Sequence, residues 1–149
     1  MKTLLVVLLT FFFLPLALAQ QSGVSRQEKR VALVVGNSSS QSTPFRNPVN
    51  DSKAKTSVLK TVGFSVTRVE KAALRSLDKA VRRFGEQARD SDVALFNYAG
   101  HDLQVKGINY LQPIGADIRR EHDVQFEAFN TKKVLGELEA GNQRVNITT

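Results

Sequence analysis

The sequence predicts an α/β domain: a mostly parallel sheet with helices on both faces. Three observations carry this. Val31-Ala32-Leu33-Val34-Val35 and Val93-Ala94-Leu95-Phe96 are short unbroken apolar runs, as in strands buried on both sides. Between them lie segments of helical periodicity; the clearest puts Leu74, Leu77, Val81, Phe84 and Ala88 on one stripe, with basic residues opposite. Turn residues punctuate the alternation at Gly36-Asn37, Gly63 and Gly141. Strands alternating with helices form parallel sheets, and their functional groups collect at the carboxyl ends of the strands.

The chain opens on Met1-Lys2-Thr3, an apolar run from Leu4 to Leu14, Pro15, and the small-residue site Ala17-Leu18-Ala19 before Gln20. That is the order of a secretory signal peptide. The run is shorter than the roughly 20 apolar residues that span a bilayer. The reading is therefore a cleaved signal over residues 1–19, with an uncleaved anchor as the alternative. A lipid anchor would need a cysteine at the cleavage site, and the 149 residues contain none. The expected product is exported, periplasmic or secreted, with no stable membrane anchor. Without disulfides its core must come from apolar burial.

Residues 20–29 are polar and aperiodic and read as a flexible leader. The first strand ends at Gly36, and a polar loop with Pro44 follows. Asn50 or Asp51 is placed to cap a helix running to about Val62, because a short side-chain oxygen accepts from free backbone amides there. Phe64 to Val69 reads as a second strand, the Leu74–Ala88 stripe as a second helix, and Val93–Phe96 as a third strand. Ile108–Leu111 is a short extra strand before Pro113. Thr131–Ala140 is a third helix, capped by Asn130 or Thr131. Arg144–Ile147 begins a fourth strand close to Thr149, which gives the expectation of a domain incomplete at its C-terminal end.

The net charge is +7, or +6 once Lys2 is removed. The basic residues Arg75, Lys79, Arg82, Arg83 and Arg89 alternate with the apolar stripe, as on a solvated helix face. No recognition motif accompanies them, so nucleic acid is not an expected partner. Gly36-Asn37-Ser38 lacks the lysine and flanking glycines of a phosphate loop. No Gly-x-Ser-x-Gly elbow marks a serine hydrolase. His101, Asp102, His122 and Asp123 lack the tight spacing of metal ligands, so neither a metal nor another cofactor is expected. Three glycosylation sequons, at Asn37, Asn50 and Asn146, depend on the host for their use.

The segment richest in chemistry is Asp92-Val93-Ala94-Leu95-Phe96-Asn97-Tyr98-Ala99-Gly100-His101-Asp102. A small-residue turn after a buried strand presents a histidine at the sheet's active edge. A neutral imidazole there can take a proton from a nucleophile. From spacing alone, His101 reads first as an ordinary polar loop residue, with the catalytic reading as the alternative.

Several segments, in order, resemble the caspase-like peptidases of family C14, including the bacterial metacaspase-related members. Arg30-Val31-Ala32-Leu33-Val34-Val35-Gly36-Asn37 is similar to their opening strand, and Asn47-Pro48-Val49-Asn50-Asp51 to their next turn. Tyr98-Ala99-Gly100-His101 resembles their histidine motif. Gly107-Ile108-Asn109-Tyr110-Leu111-Gln112-Pro113 resembles the segment after it, and Asn146-Ile147 the start of their cysteine-bearing strand. The resemblance implies a caspase-like p20 domain over residues 30–149, a three-layer sandwich. It implies cysteine-type endopeptidase chemistry on a peptide or protein substrate, with His101 as general base of a Cys–His dyad. It also implies Asp51 as an acidic wall of the primary specificity pocket, suited to Arg or Lys. The cap reading of Asp51 stands beside this, and both can hold.

Two departures from the family pattern bear on activity. The nucleophilic cysteine has no counterpart, so the dyad has a base and nothing to activate. The family usually has glycine after the histidine, where a backbone amide helps hold the oxyanion; here Asp102 follows Gly100-His101. A carboxylate at that place either opposes developing negative charge or points harmlessly outward. The expectation is a fragment of a split peptidase, inactive alone and completed by a missing half. The alternative is an exported non-catalytic pseudopeptidase that binds or regulates.

Overall fold

The computed structural model describes residues 26–38, 47–141 and 144–148. The expected signal over 1–19, the leader residues 20–25 and most of the loop after the first strand lie outside the described residues. The chain runs β1 (Arg30–Gly36), α1 (Pro48–Thr61), β2 (Phe64–Glu70), α2 (Leu74–Arg89), β3 (Val93–Ala99), β4 (Asp102–Val105) and β5 (Ile108–Leu111). A 3-10 turn at Glu121–Asp123 follows, then α3 (Val124–Glu127), β6 (Phe129–Asn130), α4 (Lys132–Glu139) and β7 (Arg144–Thr148).

The main sheet has the order β2-β1-β3-β7, and every neighbouring pair is parallel. β1 is buried along almost its whole length, which is why its sequence does not alternate. Its side chains still go to opposite faces. Val31, Leu33 and Val35 pack with Leu77, Val81, Phe84 and Ala88 of α2 and with Val134 and Leu138 of α4. Ala32 and Val34 pack with Leu59 of α1 on the other face. The molecule is thus an α/β sandwich of three layers with a central parallel sheet, as the sequence pattern predicts.

The start of α1 differs from expectation. Its cap is Asn47, whose side chain accepts from the Asn50 amide at 3.2 Å. Pro48 takes the first helical position, where its missing N–H costs nothing. A cap has to precede that proline, so Asn50 and Asp51 fall inside the first turn. Asp51 is therefore not the cap; its negative charge faces the positive end of the helix dipole instead. At α4 the capping bond comes from Asn130, whose Oδ1 accepts from the Lys132 amide at 2.9 Å, while the Thr131 hydroxyl donates to the Asn109 carbonyl.

A second, antiparallel sheet of order β4-β5-β6 was only partly foreseen. β5 occupies the expected Ile108–Leu111, whereas β4, β6 and α3 have no counterpart among the expected elements. β4 and β5 form a hairpin closed by Lys106 and Gly107, with φ of 51° and 76°. Two positive φ angles are what a tight two-residue hairpin turn requires.

Candidate active site

The β1–β3 pairing sets Gly36 beside Ala99, so the loops leaving both strands meet at one rim of the sheet. Asn37 knits that rim together. Its backbone N–H donates to the Ala99 carbonyl at 2.8 Å. Its side chain donates to the Ala72 carbonyl at 2.9 Å and accepts from the Ala72 amide at 2.7 Å. It is only 2% exposed, so these bonds form where an unpaired amide would be costly. Gly36 lets α1 come close: a Cβ there would lie 2.5 Å from the Ser52 Oγ and 2.7 Å from the Pro48 carbonyl.

Tyr98 is buried, and its hydroxyl donates to the Gln112 carbonyl at 2.6 Å. Burial pushes this phenol up to about 12; the nearby Asp102 charge pushes the same way and a hydrogen bond with Asn37 opposes it. At neutral pH Tyr98 is therefore a fixed donor. The Gln112 N–H in turn donates to the His101 carbonyl at 2.9 Å. Gly100 lies over this network: a Cβ would come within 2.6 Å of the Tyr98 hydroxyl and 2.7 Å of the Asn37 carbonyl. The turn before the histidine thus admits no side chain, which explains a glycine there without invoking loop freedom.

His101 follows at the carboxyl end of β3 and is exposed. Its backbone is pinned by Gln112 while its imidazole is open to an incoming group. Asp102 is also exposed and begins β4, opposite Leu111. Next to this rim is a cleft of about 590 Å³ between α1 and β3. Pro48, Asp51, Lys55 and Val58 line one wall, and Asn97 to Gly100 line the other. The structure therefore brings Asp51 and Gly100 into one cleft. His101 and Asp102 adjoin it through the chain but do not line it.

His122 lies elsewhere, on the 3-10 turn, with Nε2 3.0 Å from the Asp123 Oδ1. Asp123 accepts from the backbone amides of Arg120 at 2.8 Å and Arg119 at 3.1 Å, and these bonds hold its carboxyl below the usual range. Both residues serve the local turn. Among the described residues no group of three or more His, Asp or Glu is placed to hold a metal ion, and no helix is long and apolar enough to cross a membrane.

The sequence reading missed Asn37 and Tyr98 as structural anchors of the site. The available signal for Asn37 was a polar residue directly after a fully apolar strand. For Tyr98 it was an aromatic hydroxyl inside a run that is otherwise buried.

A central parallel sheet covered by helices on both faces, with an exposed histidine just beyond its third strand, defines a three-layer α/β sandwich. Residues 29–146 match the family model of the caspase domain, peptidase C14, and the chain belongs to that family. Among solved structures it is similar to the Drosophila initiator caspase Dronc, at 13% identity and a TM-score of 0.55. That match covers 86% of this chain and 54% of the other, so this chain spans about half the length of the caspase it resembles. No curated protein matches the sequence.

Proposed function

We propose that the chain is the histidine-bearing part of an exported cysteine-type endopeptidase directed at Arg or Lys side chains. His101 is the general base, and Asp51 is the carboxylate that receives the substrate's cationic group. The observation that carries this reading is the placement of an open imidazole, on a pinned backbone, next to a cleft that holds Asp51. Peptide or protein is the substrate class. The expected signal peptide supports a periplasmic or secreted product.

Because the 149 residues contain no cysteine, the thiolate must come from outside them, and the chain alone is inactive. A second reading is a non-catalytic binding module that keeps the fold; Asp102 in place of the family glycine favours it. Residues 20–149 should show no thiol-dependent cleavage of Arg or Lys peptides, and turnover blocked by a thiol-directed inhibitor would overturn that. Joined to, or mixed with, a segment ending a strand in an Asp-Ala-Cys motif, the chain should gain cleavage. His101→Ala should then lower it by roughly 10²–10⁴-fold, the range of general-base catalysis. Peptide binding without any gain of cleavage would favour the binding module.

A further inference from the structure

Arg119 and Arg120 stand side by side in the nine-residue connection between β5 and the 3-10 turn. Their side chains are 79% and 74% exposed. The other described basic residues outside helices and strands offer a peptidase less. Lys106 closes a two-residue hairpin turn. Lys71 sits beside Ala72, whose amide and carbonyl are both bonded to Asn37. Arg26 and Lys29 precede β1, where a cut would only shorten the leader.

A peptidase cuts where backbone can leave its bonds. No helix or strand ladder holds residues 117–120. The Asp117 amide donates to the Glu127 carboxylate at 3.4 Å, and the amides of Arg119 and Arg120 donate to one Asp123 oxygen at 3.1 and 2.8 Å. Among the described residues nothing donates to the Arg119 carbonyl, the group a nucleophile attacks. The Arg119 guanidinium pairs with Asp117 in an exposed contact, which a competing carboxylate can replace.

Hydrolysis adds water across the Arg119–Arg120 bond and leaves a carboxylate on Arg119 and an α-ammonium on Arg120. That nitrogen already lies 2.8 Å from the Asp123 Oδ2. A neutral N–H bond thus becomes an ammonium–carboxylate pair, the stronger kind. The Asp123 carboxyl also faces the Arg120 guanidinium at 4.0 Å and the His122 Nε2 at 3.0 Å, and the two backbone amides hold it below the usual range. The pieces stay joined, because β5 pairs with β6 and β3 with β7 across the cut, and Phe84 packs with Val134 and Leu138.

We propose that the Arg119–Arg120 bond is a processing site for an arginine-directed endopeptidase, and that the cut yields a two-chain form locked by the new Arg120 ammonium on Asp123. The chain is the substrate here, so the inference stands apart from the roles of His101 and Asp51.

Limited digestion of the purified chain with trypsin tests this, read by intact mass and by sequencing the new amino terminus. The first cut inside residues 30–148 should fall after Arg119. Arg119→Gln combined with Arg120→Gln should abolish it and leave the melting temperature unchanged. Arg120→Gln alone confines the cut to Arg119, and its two pieces should co-elute in native size exclusion and part in denaturant. Their new α-amine should react with acetic anhydride about tenfold more slowly than in Arg120→Gln combined with Asp123→Asn, as when an ion pair raises an amine's pKa by about one. A free peptide beginning Gln-Glu-His-Asp is a second reference that needs no folding, and it should react as fast as the Asn variant. A first cut elsewhere, including the loop before Pro48, would remove the site. Pieces that separate without denaturant, or an α-amine as reactive as the free peptide's, would remove the lock.

Discussion

Tyr98 is the residue through which burial reaches the candidate base. Its hydroxyl holds the Gln112 carbonyl, and the Gln112 amide holds the His101 carbonyl, so a phenol inside the sheet fixes the backbone that carries the imidazole. Its raised pKa has a definite consequence for pH dependence. The neutral phenol is favoured in the folded state, so its contribution to stability is complete below the unfolded value of about 10. That contribution is lost as pH rises through the folded value of about 12. In a Tyr110→Phe background, phenolate absorbance from Tyr98 should appear only near pH 12, together with loss of structure; ionisation near pH 10 in the folded chain would contradict this. Tyr98→Phe should cost about 1 kcal/mol, the worth of a typical hydrogen bond. It should also loosen the His101 backbone in relaxation measurements and leave His122 unchanged. A variant that melts earlier with His101 equally rigid would show that Tyr98 merely packs.

The helices and strands were largely legible, and the reasons differ from one to the next. β1 and β3 were readable because both faces are covered, which leaves unbroken apolar runs. α2 was readable because Leu77, Val81, Phe84 and Ala88 all face the sheet while its basic residues face water. β4 was not, because alternation over only Asp102, Leu103, Gln104 and Val105 is too short to separate a strand from a loop. The start of α1 was misplaced because an amide oxygen three residues earlier, at Asn47, competes for the same role and Pro48 decides between them. At the candidate site the histidine motif and Asp51 could be read from the chain, whereas Ala72, the partner of the Asn37 side chain, lies 35 residues away and becomes visible only once the sheet is assembled. Energetically, α2 and α4 are held by apolar contact. The Asp78–Lys133 ion pair that also joins them is largely exposed, and such pairs contribute at most about 1 kcal/mol. Phe84→Ala, at a residue 1% exposed, should instead cost about 3–5 kcal/mol in chemical denaturation. A loss below 1 kcal/mol would mean that the α2 face is not the main core.

Over the whole molecule, the residues assigned to chemistry gather at one rim of the parallel sheet, where β1 and β3 end. Topology forces this asymmetry, because every strand of the main sheet points the same way. The opposite rim carries the short returns from helix to strand at Gly63 and at Ser91-Asp92. Gly63 has φ of 86° and nothing within 4 Å of where a Cβ would stand. That far side carries none of the residues assigned to chemistry. A short flexible insert between Val62 and Gly63, carrying an affinity tag or a fluorophore, should leave the resonances of Asn37, Tyr98 and His101 where they are. If the insert moved those signals, the two rims would be mechanically linked through the sheet, and a reporter placed at Gly63 would sense occupancy of the cleft from the other end of the molecule.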